Sequence, residues 1–127
     1  MKHGALATSV SHDSHNIICV GATDKAMVSA INRVIFDRGG LAVADDGGNV
    51  LAALPLPVAG LMSDKNAEFV ACRYQDCDRL AKMMGAKLSA PFMTLSFMAL
   101  PVIPEIKMTD KGMFDTCSFR QAGVRFK

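Results

Sequence analysis

Six consecutive polar residues, positions 11–16, separate two apolar segments near the start of the chain, positions 5–10 and 17–22. Short apolar segments on either side of a short polar run predict two strands joined by a turn. The second segment is apolar throughout and rich in β-branched residues, which is typical of a strand buried on both faces. We therefore expect it to lie at the centre of a sheet.

The polar run is the first candidate for chemistry. It holds two of the chain's three histidines, and α/β proteins tend to build sites from loops at the ends of their sheets. The simpler interpretation is a tight turn whose Ser, Asp and Asn side chains bond the local backbone, although two imidazoles are more than a turn requires. The sequence leaves both interpretations open. The candidate residues are His12, Asp13, Ser14, His15 and Asn16.

Two later segments show the apolar spacing of helices. Thr23 is placed to cap the first helix, which the Gly-Gly pair at 39–40 ends. Ser63 and Asp64 are the predicted cap of a longer helix over residues 65–84. These segments predict the two main helices of the domain.

The remaining segments predict strands and one short helix. Residues 41–44 and 49–54 flank an Asp-Asp-Gly-Gly sequence and predict a hairpin. Residues 89–100 are almost continuously apolar with a proline near the start, which fits a short buried helix or a strand, and we favour the helix. Residues 109–112 predict a turn, and residues 114–126 a weak edge strand.

The expected fold is an α/β single domain over residues 1–127, a mixed sheet packed in layers with two main helices and a short apolar third helix. The chain begins inside a predicted strand with no turn or cap before it, so it resembles a piece of something longer. Half of the residues are hydrophobic and a fifth are charged, the composition of a globular protein.

Charge and length exclude several classes of function. The 14 basic and 12 acidic residues are scattered, without the basic stripe of a nucleic-acid-binding protein. Every apolar segment is interrupted before it reaches the length of a membrane span, and the N-terminus lacks a signal-peptide core, so we expect a cytoplasmic protein. The four cysteines form no Cys-x-x-Cys pair and are expected to be reduced core thiols rather than disulfides or a zinc site.

Four long strings, taken together, resemble one known family. They are the polar run at 11–16 with its following strand, Pro-Leu-Pro-Val-Ala-Gly-Leu-Met-Ser-Asp at 55–64, Pro-Phe-Met-Thr-Leu-Ser-Phe-Met-Ala-Leu-Pro-Val-Ile-Pro-Glu at 91–105 and Thr-Asp-Lys-Gly at 109–112. In order and spacing they are similar to the C-terminal domain of bacterial adenine deaminase. The resemblance extends over residues 4–119, nearly the whole chain.

The resemblance implies part of an amidohydrolase-type enzyme that converts adenine and water to hypoxanthine and ammonia, a hydrolase of purine metabolism. The family uses Mn or Fe held in a (β/α)₈ barrel that lies upstream, and a barrel needs some 200 residues or more, which this chain lacks. The family's metal ligands include a His-x-His pair, whereas His12 and His15 are separated by two residues and no third ligand is evident. We therefore assign no metal ligand, and no cofactor, to this chain.

In this interpretation the chain is inactive alone and acts with the barrel domain, in cis or as a separate chain. The loop at 11–16 is expected to face the active site, where imidazole, carboxylate and amide groups match the donors and acceptors of an adenine edge. Second-rank candidates are Ser63, Asp64, Thr94 and Ser96, in the segments 60–64 and 91–97, for which packing between domains is the simpler explanation.

Two alternatives remain. The chain is also consistent with a non-catalytic binding or oligomerisation module derived from that domain, a homo-oligomer whose surface uses some of the nine methionines. A small hydrolytic reaction run by His12 with Asp13 or His15 ranks last, because neither Ser11 nor Ser14 lies in a Gly-x-Ser-x-Gly elbow.

Overall fold

The structure is a computed structural model that describes residues 1–12, 16–109 and 111–123. Within these residues a four-stranded antiparallel sheet has the order β2-β1-β3-β4, and its strands are β1 (Ala5–Thr8), β2 (Ile18–Gly21), β3 (Gly40–Ala44) and β4 (Val50–Pro55). The helices are α1 (Asp24–Phe36), α2 (Ala67–Met83) and α3 (Pro91–Met98). A separate antiparallel sheet near the C-terminus has the order β5-β6-β7, with β5 (Ile106–Thr109), β6 (Gly112–Asp115) and β7 (Arg120–Ala122).

Alternation along the central strands sorts side chains by size onto the two faces of the first sheet. The face toward α1 is lined by alanines, Ala5, Ala7, Ala42 and Ala44, and the face toward α2 and α3 by larger residues, Leu6, Leu41, Val43 and Leu54. Successive residues of a strand point to opposite faces, so each strand supplies both layers. The result is three layers, with α1 on one side of the sheet and α2 with α3 on the other, which confirms the expected α/β layered domain.

The helix predictions are confirmed with one correction. The Thr23 hydroxyl accepts a hydrogen bond from the Ala26 amide at 3.2 Å, as expected of an N-cap. The longer helix is capped by Asn66 rather than by Ser63 and Asp64, because the Asn66 side chain accepts from the Phe69 amide at 2.9 Å. The segment at 89–100 is helical over α3, with Pro91 in the first turn.

Two expectations about the first sheet were wrong. Every strand pair described is antiparallel, so the sheet is not mixed. The segment at 17–22 contains β2, which lies at an edge of the sheet and is only partly buried, whereas β1 and β3 occupy the centre. Apolar composition predicts that a strand is covered, but the neighbours that cover it are set by packing with distant segments.

The predicted hairpin is present as β3 and β4. The Asp45 carboxylate accepts from the Asn49 amide at 2.8 Å, and the Gly48 amide donates to the Asp45 carbonyl at 2.9 Å. The side-chain and backbone hydrogen bonds from Asn49 hold the pKa of the Asp45 carboxyl below its usual value. The pairing of the two strands shifts by a bulge between Val43 and Ala44.

The C-terminal segment forms three strands where the sequence predicts one weak edge strand. β5 ends at Thr109 and β6 begins at Gly112, so the predicted turn falls between them, with Asp110 outside the described residues. The short strands alternate too weakly to be recognised from sequence.

The cysteines are free, but they are not all core thiols. Cys77 is buried and Cys19 half-buried, whereas Cys72 and Cys117 are exposed. Burial raises the pKa of the Cys77 thiol to about 12 and that of the Cys19 thiol to about 11, so both stay protonated near neutral pH. Among the residues described, no helix is long and apolar enough to cross a membrane.

Candidate functional site

The polar run leaves the sheet at the end of β1 and returns at the start of β2. Ser11 is buried, and its hydroxyl accepts a hydrogen bond from the Asn16 amide at 3.3 Å. The Ser11 amide in turn donates to the Ser9 carbonyl at 3.0 Å. Ser11 therefore links the two ends of the run, residues 11 and 16.

Helix α3 positions the first histidine of the run. The His12 amide donates to the Ser96 carbonyl at 3.1 Å, and the imidazole stacks on the Phe97 ring with centroids 4.9 Å apart and planes inclined by 28°. Offset aromatic stacking of this kind restricts the orientation of the ring. His12 is nevertheless exposed, so an oriented imidazole is presented at the surface.

Of the five candidate residues in the run, the structure describes His12 and Asn16, both of them exposed. Asp13, Ser14 and His15 lie outside the described residues.

The second-rank hydroxyl candidates make mainly local contacts. The Ser96 hydroxyl donates to the Met93 carbonyl at 2.7 Å, and the Thr94 hydroxyl donates to the Ala90 carbonyl at 3.0 Å. Such bonds to the preceding turn are common for Ser and Thr within helices. Ser96 and Thr94 also line different cavities, so α3 does not bring their hydroxyls together.

Ser63 and Asp64 also make local contacts. The Ser63 hydroxyl accepts from the Lys65 amide at 3.2 Å, and the Asp64 carboxylate pairs with the Lys65 ammonium at 3.2 Å. Both side chains belong to the turn that precedes α2, and the described contacts do not link them to His12.

Close to the start of the run, Ser9 joins three segments of the chain in a contact that the sequence analysis missed. The Ser9 hydroxyl accepts from the Gly40 amide at 2.7 Å and donates to the Gly60 carbonyl at 2.6 Å. A Cβ on Gly39 would lie 2.3 Å from the Gly60 Cα, so only glycine permits this approach. The Gly-Gly pair was interpreted only as a helix end, whereas both glycines adopt positive φ, 121° and 133°, and the only sequence signal for this second role was that the two glycines are consecutive.

Two cavities share Asn16, the last residue of the run, and the neighbouring Ile17. One, of about 300 Å³, extends toward Arg38 and Gly60, and the other, of about 660 Å³, toward Lys107. Asn16 and Ile17 therefore lie between two concave surfaces, and Arg38 and Lys107 are cationic side chains of these surfaces that the sequence did not connect with the run.

The described residues do not fit a metal centre. No group of three or more His, Cys, Asp and Glu side chains converges within residues 1–12, 16–109 and 111–123. Two potential metal ligands, His3 and Asp46, lie close together at the opposite end of β1, with His3 Nδ1 3.2 Å from Asp46 Oδ2. The other carboxylate oxygen of Asp46 accepts a hydrogen bond from the Gly4 amide at 2.7 Å. Three or four ligands are the norm for a protein-bound transition metal.

Within the described residues, fold and site together define a small layered α/β domain, not a barrel, in which the exposed His12 and Asn16 lie between the end of β1 and the start of β2. Residues 1–120 match the family model described as adenine deaminase C-terminal domain, and the chain belongs to this family. The family resemblance found in the sequence strings is thereby confirmed.

The chain is also similar to curated adenine deaminases that are about five times as long. The chain is 49% identical over 120 residues to the adenine deaminase of Archaeoglobus fulgidus, and 52% identical over 121 residues to that of Methanosarcina barkeri. It is 53% identical over 120 residues to the adenine deaminase of a Sulfurovum species. Each match covers 94% of this chain and 21 or 22% of the relative, so the chain spans about a fifth of the length of these enzymes.

Proposed function

We propose that this chain acts as the C-terminal domain of an adenine deaminase, and that residues 11–16 contact adenine at an active site carried mainly by the remainder of the enzyme. The observation that carries the proposal is the setting of His12, an exposed imidazole held in place by stacking on Phe97 and by the Ser96 carbonyl. A surface turn with no further role would not require such support from a distant helix.

The surroundings of the loop support an interface with another protein domain. Exposed apolar side chains lie on α1, on α3, on the loop after β4 and just after the run. They are Ile35, Phe97, Val58, Met62 and Ile17, and their exposed fractions are 38–58%. A polar site ringed by apolar surface is the usual anatomy of a surface that another body of protein covers.

The chemistry of the loop suits recognition of a neutral purine. A neutral imidazole offers one donor and one acceptor, and an amide side chain offers both kinds of group. His12 and Asn16 supply these groups, and His15 and Asp13 belong to the same six-residue run. In this proposal the loop orients or encloses adenine.

The metal would be held elsewhere. The described residues contain no suitable ligand group, so the Mn or Fe expected in the family's barrel domain has no proposed ligand in this chain. That domain, attached or separate, is the proposed partner.

The first experiment measures ammonia release from adenine by the purified chain, with and without added Mn²⁺ or Fe²⁺, together with the metal content as isolated. We expect neither turnover nor bound metal. Metal-dependent turnover would show that this chain holds a complete site and would overturn the proposed division of roles.

The second experiment uses a full-length adenine deaminase in which this chain replaces the corresponding residues. His15→Ala and His12→Ala should each raise KM or lower kcat by roughly tenfold, the equivalent of one lost hydrogen bond to substrate, with the metal content unchanged. His3→Ala is the matched control, because His3 lies at the opposite end of β1, beside Asp46. Equal kinetics for all three variants and the parent would contradict the proposal.

A further inference from the structure

Strand β2 is an edge strand with the sequence of a central one. Within the described residues, only β1 makes backbone hydrogen bonds with Ile18–Gly21. The surrounding segment, residues 17–22, contains no charged residue and no proline. Soluble proteins normally protect a sheet edge with charges, proline or a bulge, because unpaired backbone groups there pair readily with another strand.

The opposite edge of the same sheet does carry such features. β4 ends at Pro55, Pro57 follows two residues later, and its pairing with β3 contains a bulge. Proline has no amide proton to donate and a bulge interrupts a regular ladder. The two edges therefore differ in kind, and only β2 is suited to accept a further strand.

Cavities follow the free edge of β2 on the side of α3. Val20 lines one of about 500 Å³ with Leu88 and Leu95, and Ile18 lines the cavity of about 660 Å³ described above. Met98 lines both, so the two cavities adjoin at this side chain, and we refer to them together as the groove. Ile18 and Val20 are two residues apart and share a face, and an added strand would place alternate side chains at the same interval of about 6–7 Å.

We propose that this edge accepts an extended apolar segment from the part of the adenine deaminase chain that lies outside this domain, which pairs with β2 as a fifth strand and fills the groove. The inference rests on the proposed function. The occupant is the rest of the enzyme because the relatives carry about four-fifths of their length outside the match. β2 also follows directly after residues 11–16, so a strand paired there joins the two parts of the enzyme beside the proposed site.

The basic residues around the groove indicate which charges the added strand should carry. Lys2 and Lys87 flank one cavity of the groove, and Lys107 lines the other. An apolar strand with acidic residues at its two ends complements this arrangement.

The test compares amide hydrogen exchange of residues 18–21 in the chain alone and in a full-length adenine deaminase in which this chain replaces the corresponding residues. We expect exchange to slow by roughly tenfold or more in the full-length enzyme, whereas residues 50–51 of β4 change little. Val20→Lys should abolish that protection, because it places a charge in the groove. Leu51→Lys, at a comparably exposed position on β4, should leave it intact.

Three results would overturn the proposal. One is equal exchange of residues 18–21 in the two proteins, and another is equal loss of protection in Val20→Lys and Leu51→Lys. The third is a chain that dimerises alone by sedimentation velocity and becomes monomeric with Val20→Lys, since the occupant would then be a second copy. Val20→Thr, which keeps a β-branched side chain, should retain the protection and shows that the domain still folds. The kinetics of His12→Ala and His15→Ala test the proposed function independently, so its failure is distinguishable from failure of the strand pairing.

Discussion

The two sheets of this domain are built from strands of similar length but differ in what covers them. Every residue of β1 and β3 is buried between helices. No residue of β5, β6 or β7 is buried, and Ile106 and Met108 are 53% and 85% exposed. The register of the second sheet places both on one face with Met113 and Ala122, and the charged pair Asp115 and Arg120 shares this face. Helices cover both faces of the first sheet, whereas no described helix covers this face of the second sheet, where four apolar side chains lie beside one acidic and one basic side chain.

Local contacts hold the second sheet together. The Phe114 and Phe119 rings meet edge to face with centroids 5.3 Å apart, and Asp115 accepts from the Ser118 hydroxyl at 2.7 Å. A three-stranded sheet without a packed face is marginally stable. We expect it to open locally without unfolding the first sheet.

The largest effect predicted by this comparison is that of a truncation in the first sheet. Leu6 is 2% exposed between the sheet and its two covering helices, so Leu6→Ala should lower the free energy of unfolding by about 2–5 kcal/mol. Met108→Ala, the matched truncation in the second sheet, should change it by less than about 0.5 kcal/mol. Urea unfolding of the two variants checks both values. Similar losses would mean that the two sheets unfold as one unit.

The parts of the fold that the sequence predicts correctly are those with local signals. The Thr23 cap and the Asp-Gly turn of the hairpin act over a few residues, and both are present. The edge position of β2 depends on distant strands. The Ser9–Gly60 contact joins residues 51 positions apart and has no local signature.

The candidate site divides in the same way. The two flanking strands are present as β1 and β2, and the described residues of the run, Ser11, His12 and Asn16, lie between them; that the run forms a site stays a prediction. That Phe97 supports His12 could not be predicted, because it depends on how α3 packs against the loop. Ser63 and Asp64 were singled out by residue type, and their described contacts are with Lys65 of the same turn, so their part in the site stays a prediction.

A second, smaller effect separates two glycines with positive φ. Gly39 and Gly112 have φ values of 121° and 107°, but a Cβ on Gly39 would meet the Gly60 backbone, and one on Gly112 would meet nothing within 4 Å. Gly39→Ala should therefore lower the unfolding free energy by roughly 1–3 kcal/mol. Gly112→Ala should leave the global transition unchanged and speed amide exchange in β5 and β6 alone. A larger global loss from Gly112→Ala would show that the second sheet contributes to the cooperative unit.

The smallest effect concerns pH and the turn between β6 and β7. Hydrogen bonds from the Ser118 hydroxyl and the Ser118 and Cys117 amides hold the pKa of the Asp115 carboxyl below its ordinary value of 3.8. A carboxyl whose pKa is lower in the folded state stabilises the fold at pH values above 3.8, and that contribution is lost as the pH falls through the folded-state pKa. Acidification should therefore lower the protection of the Cys117 and Ser118 amides, measured relative to their intrinsic exchange rates at each pH, before the first sheet is affected. Asp115→Asn should produce the same change at neutral pH.

An NMR titration that places the Asp115 pKa at or above 3.8 would contradict this account, and the second sheet would then depend on its aromatic pair rather than on its turn.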